Sequence, residues 1–316
     1  MKRALFVFLL TLSTSPVARG DDAQPALKLD FAKAEEVKTV VWKAAAQAGL
    51  NGTYGNTRTV NFSAGANVSR NDGKNRLTID LGGAYGVNMT PDGVGQGGKP
   101  IDTEAQLFAK QTETVANFLG KVRYDRFFTA NNSLYLAGFG GFDLPAGKKL
   151  YAGAQFGYAR QLYKTKAHDA VVEGGADYNM FCFRAANEGT AEAPFCADPL
   201  VHVGAARIFL GYGYTFNENT NFAISAETFI NVNSVKIGGK QYGFAQASRL
   251  LGKASLTTKL SDKVSFRFSV AGRYENARPL RPNPAGFTIA ETAPEDVRLV
   301  YPYDLTMDAA LVISIL

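Results

Sequence analysis

The stretch VSFRFSVAGRY, from Val264 to Tyr274, decides how this chain folds. Its even-numbered positions are apolar apart from Gly272, whereas its odd-numbered positions are small or charged and include Arg267 and Arg273. Successive side chains of a β-strand point to opposite faces, so an alternation of period two predicts a strand with one apolar and one polar face.

The same alternation recurs along the chain between Val40 and Ile315. We count about twelve such segments, most of them near the roughly ten residues that a tilted strand needs to cross a bilayer. One of them, SLYLAGFGGF from Ser133, has an ambiguous register. The connections after even-numbered segments are tight and polar. Three of the others are long: Asn88 to Gln111, Phe181 to Pro199 and Asn276 to Pro302.

Short turns at one end and longer loops at the other are typical of an outer-membrane barrel. We therefore predict an all-β fold, a transmembrane antiparallel up-and-down β-barrel of about twelve strands over residues 38–316, with its apolar face toward lipid. A soluble lipocalin-like binder is an alternative, but its apolar face would line the cavity and its outside would be wet.

The first residues predict export. Lys2 and Arg3 precede the apolar run ALFVFLLTL, and small residues follow at Ala18 and Gly20, which is the layout of a secretory signal peptide. A membrane-spanning helix needs about 20 apolar residues, more than this run provides. We expect residues 1–20 to be the signal peptide, residues 21–37 to form a short periplasmic segment, and the barrel to lie in the bacterial outer membrane.

Charge and cysteine content narrow the partners. The 34 Lys and Arg exceed the 28 Asp and Glu by a modest margin and are spread along the chain, so we expect no nucleic-acid partner. Cys182 and Cys196, the two cysteines, bound the segment FCFRAANEGTAEAPFC. In an exported protein such a pair is expected to form one disulfide, and two unpaired thiols are the alternative.

Aromatic residues fall near the predicted strand ends, as in the two aromatic girdles of a membrane barrel. Those near the tight turns are Trp42, Tyr124, Phe127, Phe128, Tyr163 and Phe216, and those near the other end are Tyr85, Tyr178 and Tyr274. The girdles are expected to mark the two membrane–water interfaces.

The polar face carries the charges expected to point into the lumen. The bases are Lys43, Arg76, Lys121, Arg123, Arg207, Lys253, Lys259, Arg267 and Arg273, and the acids are Asp80, Asp125, Glu173, Asp177, Glu227 and Asp308. Two interpretations compete. The excess of bases favours a pore that draws anions, because charged linings set selectivity. Alternatively, bases and acids pair and plug the interior, because buried charges must be matched.

Catalysis has little support, and we expect no catalytic residue, cofactor or metal. The two histidines, His168 and His202, are predicted at opposite ends of the barrel, and the cysteine pair lacks the further ligands of a zinc site. His202 with Asp198 and an outer-loop serine would imitate a lipase arrangement at the rim, an alternative that no spaced motif supports.

The segment AGLNGTYGNTRTVNFSAGANVSRNDGKNRLTIDLGGAYG resembles the opening of the salt-induced outer-membrane protein family, a family of unknown function. A tryptophan-containing first strand precedes a G-N-T hairpin there, which corresponds to Trp42 and to Gly55, Asn56 and Thr57. The middle section GKVRYDRFFTANNSLYLAGFGGFD is similar too. The resemblance implies an outer-membrane barrel and no catalytic residues, and the long inserts and the cysteine-bounded loop depart from it.

These observations favour a narrow, mildly anion-preferring pore for small solutes. The main alternative is a closed structural or adhesive barrel that acts through its extracellular loops in envelope stress, and a rim lipid hydrolase is a third. The expected partners are outer-membrane lipids and lipopolysaccharide, the barrel-assembly machinery during biogenesis, and small anionic solutes.

Overall fold

The computed structural model describes residues 40–53, 58–89, 111–144, 147–183, 196, 200–237, 239–277 and 302–315. The described residues form fourteen strands. They are β1 (Val41–Thr53), β2 (Arg58–Asn71), β3 (Asn75–Met89), β4 (Gln111–Thr129), β5 (Asn132–Asp143), β6 (Lys148–Lys164), β7 (His168–Phe183), β8 (Val201–Thr215), β9 (Thr220–Asn231), β10 (Val235–Ile237), β11 (Lys240–Tyr242), β12 (Arg249–Lys259), β13 (Val264–Glu275) and β14 (Tyr303–Ser314). Helices of membrane-spanning length and hydrophobicity are absent from this described part. The predicted signal peptide and periplasmic segment lie outside it.

Twelve of these strands close into a barrel, in the order β1-β14-β13-β12-β9-β8-β7-β6-β5-β4-β3-β2. Every neighbouring pair is antiparallel, and β1 meets β14 to complete the ring. The twelve-stranded up-and-down barrel that the alternation predicts is confirmed. Closure removes the exposed sheet edges that would otherwise carry unpaired backbone groups.

The connections separate the two ends of the barrel. The turns after β2, β4, β6, β8 and β12 are tight, and we call this end the tight-turn end and the opposite one the long-loop end. In the first of these turns Gly73 adopts a positive φ of 85°, and the Asp72 carboxylate accepts hydrogen bonds from Asn75 and Lys74. The hydrogen bonds from Asn75 hold the pKa of Asp72 below its ordinary value. Most of the three predicted long connections lies outside the described residues.

The outer face is apolar along its length. Alternate residues expose large hydrophobic side chains, among them Leu136, Phe156, Leu210, Phe268 and Ile313. In the ambiguous strand β5, Leu134 and Leu136 face outward, whereas Ser133, Tyr135 and Ala137 are buried on the inner face. A period-two pattern cannot assign this strand, because both of its registers are partly apolar.

The predicted girdle aromatics lie on this outer face with one exception. Trp42, Phe128, Tyr178 and Tyr274 are well exposed at the two ends. Phe127 instead lies on the inner side, with its ring centre 6.0 Å from the guanidinium carbon of Arg76. A register irregularity at the end of β4, between Phe127 and Thr129, accompanies this departure from the predicted girdle.

The strands β10 and β11 form a hairpin that the sequence did not predict, because three-residue strands carry too short an alternation. Val235, Ile237 and Tyr242 of the hairpin are buried in an apolar cluster at the long-loop end. The other members are Tyr151, Phe181, Val201, Val203, Ala247 and Ala277, with Leu119, Phe139 and Phe183 packed against them. Asn231, fully buried, donates to the carbonyls of Asn233 and Gly243 and accepts from the Ala247 N–H, which fixes the ends of this connection.

Candidate functional site in the barrel lumen

A chain of ion pairs runs along the inner face from β3 to β9. The Arg123 guanidinium donates to Asp125 on its own strand and to Glu173 on β7, both at 2.7 Å. The Asp125 carboxylate also accepts from Arg76 on β3 at 3.3 Å. Alternation puts Arg123 and Asp125 on one face of β4, and closure of the barrel then brings Glu173 within their reach.

Glu173 is the centre of this chain and is 1% exposed. Its second oxygen accepts from Arg207 on β8 at 2.7 Å, so one buried carboxylate lies between two guanidinium groups. Arg207 pairs in turn with Glu227 on β9 and donates to the Tyr135 hydroxyl at 2.7 Å. Buried charges with opposite charges and hydrogen bonds on every side avoid most of the desolvation penalty of an unmatched ion.

A second group of polar side chains surrounds Asp177. It accepts from Gln155 at 2.9 Å, from Arg249 of β12 at 3.1 Å, and from its neighbour Asn179. The Gln155 side chain donates to Asp177 through its amide nitrogen and accepts a hydrogen bond from Lys121 at its amide oxygen, at 3.0 Å. Asp177, Asn179 and Gln155 are buried, so this part of the lumen is filled by protein.

Two further ion pairs cross the lumen near the long-loop end, and we call them the crossbar. Arg273 of β13 pairs with Asp143 of β5 at 3.1 Å, and Lys148 of β6 pairs with Glu275 of β13 at 2.6 Å. β13 and β5 are six strands apart in the order of the barrel, which is the opposite side of a twelve-stranded ring. The crossbar therefore divides the lumen at this level, and the hairpin cluster lies on the side of β6–β8.

The inner face thus has two sectors. In the packed sector, which comprises β4–β9, the charged groups Asp125, Glu173 and Arg207 are between 1% and 3% exposed. In the open sector, which comprises β12–β14 and β1–β3, most inner side chains keep partial solvent exposure. Those that do so include Gln47, Ser63, Asn67, Asp80, Lys253, Thr257, Arg267 and Asp308, whereas the small residues Ser255, Ser269 and Ala310 are buried.

Several described side chains of the open sector bond to neutral groups. Arg267 donates to Gln47 at 3.0 Å and to Thr257 at 3.2 Å. Asp308 accepts from Ser63 at 3.4 Å, and Asp80 accepts from Asn67. Lys43 and Lys259 are well exposed near the tight-turn end. This sector offers a solvent-accessible lining of mixed polar groups with an excess of bases.

The structure distributes the lumen charges named from the sequence over both sectors. It joins Arg76, Arg123, Asp125, Glu173, Arg207 and Glu227 in one chain, and it holds Asp177 and Lys121 beside Gln155. Sequence reasoning missed the remaining partners, namely Lys148, Asp143, Arg249 and Glu275. Arg273 and Glu275 share a face by alternation, but Asp143 lies in the strand of ambiguous register, and no sequence pattern indicates a contact across the barrel.

The histidines and cysteines lie away from the lumen charges. The Nδ1 atoms of His168 and His202 are 2.7 Å from the hydroxyls of Tyr212 and Tyr178, at opposite ends of the barrel. Cys182 and Cys196 form a disulfide, which ties the end of β7 to its following loop. Asp198 of the lipase-like alternative lies outside the described residues. Among those described, no three His, Cys, Asp or Glu side chains are grouped to hold a metal.

A family model for a protein of unknown function, DUF481, matches residues 46–284. The match covers most of the barrel, from β1 to beyond the end of β13. The chain belongs to this family. Salt induction, which the resemblance to the salt-induced family implies, does not follow from this match.

Solved structures with a similar overall fold are membrane barrels at low sequence identity. An outer-membrane channel from Pseudomonas putida is 9% identical with a TM-score of 0.45, covering 91% of this DUF481 chain and 99% of that one. The NanC porin is 9% identical with a TM-score of 0.42, over 87% and 100% of the two chains. The translocator domain of the autotransporter NalP from Neisseria meningitidis is 12% identical with a TM-score of 0.39, over 86% of each. No curated protein sequence matches this chain.

Proposed function

We propose that this barrel lies in the bacterial outer membrane and conducts small solutes, with a mild preference for anions, through a narrow off-centre passage along the open sector. The apolar outer face supports the membrane location, because exposed Leu, Phe and Ile side chains around a closed barrel match a lipid environment. The observation that carries the passage is the difference in exposure between the two sectors of the inner face.

The sign of the preference follows from the charges on the inner face. Carboxylates lie against six of the bases, Arg76, Arg123, Lys148, Arg207, Arg249 and Arg273. The solvent-accessible charges of the open sector include the bases Lys43, Lys253, Lys259 and Arg267 and the acids Asp80 and Asp308. Charged linings set the selectivity of a pore, so this excess of bases favours anions.

The test is single-channel recording of the refolded protein in a planar bilayer under a salt gradient. We expect discrete conductance steps with an anion-selective reversal potential that moves toward neutrality in the double variant K253Q/R267Q. The matched control is K263Q, which removes one base from an exposed tight turn outside the lumen. If no conductance steps are recorded although heat-modifiable gel migration shows that the barrel has folded, the proposed passage is wrong.

The crossbar and the hairpin cluster favour a second candidate. They fill part of the long-loop end, as in a barrel that is closed and acts through its extracellular loops. Envelope stress is the setting that the salt-induced family suggests for this role. Under this alternative no conductance steps are recorded, while deletion of a long loop abolishes the contribution of the protein to cell survival under envelope stress.

A further inference from the structure

Two exposed arginines, Arg126 of β4 and Arg160 of β6, lie on the outer face of the barrel near the tight-turn end. By alternation, Arg126 shares the outer face of β4 with Tyr124 and Phe128, and Arg160 shares that of β6 with Tyr158. The strand β5 lies between them. Positive charges on a face that is otherwise apolar and aromatic indicate a contact with something outside the barrel.

The two arginines lie at a similar depth along the barrel axis. One row of paired residues starts at Asn75, at the tight-turn end of β3, and passes through Arg126 to Tyr158. The row ends at Tyr303, at the long-loop end of β14, so it climbs from one end of the barrel to the other as it crosses the tilted strands. Arg160 lies two residues from Tyr158 back toward the tight-turn end, which offsets the climb between β4 and β6.

An aromatic pair lies between the two arginines. The rings of Phe128 and Tyr158 meet across β5 with their centres 6.2 Å apart, and the Tyr158 hydroxyl donates to Asn132. Tyrosines whose ring is apolar and whose hydroxyl is hydrogen-bonded are typical of the headgroup level of a membrane. We call the four side chains the basic patch: Arg126, Phe128, Tyr158 and Arg160.

The two positive charges of the basic patch are not offset within the described chain. Arg126 donates to the neutral Asn75 side-chain oxygen at 2.7 Å, which also accepts from the Tyr124 hydroxyl at 2.7 Å. This guanidinium is therefore held beside a tyrosine hydroxyl at the edge of the apolar face. Neither Arg126 nor Arg160 pairs with a carboxylate of the described residues.

Two other bases at the same end of the barrel differ in this respect. Arg70 pairs with Asp72 at 3.2 Å, and Lys164 pairs with Asp169 at 3.7 Å. The chain itself supplies the negative charge there. The comparison indicates that the basic patch takes its negative charge from a partner.

The surroundings of the basic patch match a phospholipid. A guanidinium presents a planar fork of donors that fits phosphate oxygens in a bidentate way. From the patch toward the middle of the barrel, β5 exposes Leu134 by 57% and Leu136 by 60%, an apolar track on which an acyl chain packs. The tight-turn end of an outer-membrane barrel is periplasmic, so the lipids beside it belong to the phospholipid leaflet and not to the lipopolysaccharide leaflet.

We propose that the basic patch binds the headgroup phosphate of an anionic phospholipid. The headgroup lies over the Phe128–Tyr158 ring pair between the two guanidinium groups, and an acyl chain follows Leu134 and Leu136. Two unmatched positive charges favour a headgroup with a net negative charge, such as that of phosphatidylglycerol, over a zwitterionic one. The site rests on the proposed membrane location, but it does not require that the barrel conduct solutes.

The test measures which lipid contacts the basic patch. Leu136→Trp places a fluorophore on the outer face beside the patch, in a W42F background that removes the single native tryptophan. The protein is refolded in vesicles of phosphatidylcholine mixed with phosphatidylglycerol, and one of the two lipids carries brominated acyl chains that quench tryptophan on contact. The two quenching curves give the ratio of the binding constants of the two lipids at the reporter.

We expect the W42F/L136W protein to prefer phosphatidylglycerol about fivefold, the effect of about one Arg or Lys at an anionic membrane surface. Adding R126Q/R160Q should abolish the preference. Adding R70Q/K164Q, the matched control, removes the same charge from the same end but should keep the preference, because those two bases already have carboxylate partners. A second reporter, F268W/W42F on the opposite side of the barrel, should show no preference.

A preference that is absent from W42F/L136W, or that survives R126Q/R160Q, would overturn the lipid site and leave the membrane location intact, because both lipids still quench the reporter. Quenching by neither lipid would overturn the membrane location and the site with it. If the double variant does not fold, by heat-modifiable migration, R126Q and R160Q are measured singly, and each should lower the preference. Solute conduction is tested separately by single-channel recording.

Discussion

The two sectors of the inner face come from the same alternating pattern but differ in how they are filled. Around Glu173, in the packed sector, a carboxylate and two guanidinium groups exclude solvent almost completely. Around Arg267, in the open sector, a guanidinium is bound by the neutral partners Gln47 and Thr257 and keeps partial exposure. Buried side chains of opposite charge that pair with one another close this side of the lumen, whereas side chains with neutral partners leave the other side accessible.

The largest effect is expected at the centre of the packed sector. Glu173→Gln leaves Arg123 and Arg207 without the carboxylate they share, and breaking a buried ion pair on one side costs about 3–5 kcal/mol. We expect that loss in the free energy of unfolding, measured by urea titration of the refolded barrel with heat-modifiable migration as readout.

The matched change in the open sector is Asp308→Asn. This carboxylate is partly exposed and accepts a hydrogen bond from the Ser63 hydroxyl at 3.4 Å, so we expect a loss below about 1 kcal/mol in the free energy of unfolding. Equal losses in the two variants would contradict the division of the lumen into two sectors.

The outer face should respond alike in both sectors. Leu136→Lys lies on the outside of the packed sector and Phe268→Lys on the outside of the open sector. A lysine facing the middle of the bilayer costs about 2–4 kcal/mol, so the free energy of unfolding measured in lipid vesicles should fall by that amount in both variants. If either substitution is harmless, that side of the barrel is solvated and is not in contact with lipid.

The hairpin gives a smaller, local effect. Ile237→Ala removes a buried side chain from the apolar cluster, and such truncations start at about 2 kcal/mol. We expect faster tryptic cleavage at Lys236 and Lys240, two exposed sites in the hairpin, without loss of the barrel. Val232→Ala is the control, because Val232 is exposed in the same connection, and its cleavage rate should match that of the wild type.

A similarly small effect on stability is expected at Arg267. Arg267→Gln removes two hydrogen bonds to neutral groups in a partly solvated position, so we expect the free energy of unfolding from urea titration to fall by about 1 kcal/mol. A loss as large as that of Glu173→Gln would mean that Arg267 is part of a closed network and that no passage runs beside it.

Much of this architecture was predictable from alternation alone. Stretches such as Val264 to Tyr274 predict the strand and its two faces, because successive side chains of a strand point to opposite faces of the sheet. Placing Arg123 and Glu173 on the inner face follows from the same rule. The barrel and its strand number therefore came from local pattern, together with the sorting of turns and loops between its ends.

The contacts across the lumen could not be predicted in this way. Whether Arg123 meets Glu173 depends on closure and on the stagger between strands three apart, which no local pattern encodes. Asp143 could not be assigned to the inner face because β5 is apolar on both faces. The strand Val235–Ile237 could not be predicted because three residues are too few to show an alternation. The length of the β1–β14 ladder could not be predicted from a local pattern either, because this ladder joins the first and last strands of the chain's sheet.

The most direct test of the two sectors is thiol accessibility during single-channel recording. Thr257→Cys faces the open sector, and Ala137→Cys faces the packed sector, where Ala137 is buried. We expect a charged methanethiosulfonate reagent to change the current through Thr257→Cys in a step and to leave Ala137→Cys unchanged. Modification of Ala137→Cys alone, or of both at equal rates, would contradict an off-centre passage along the open sector.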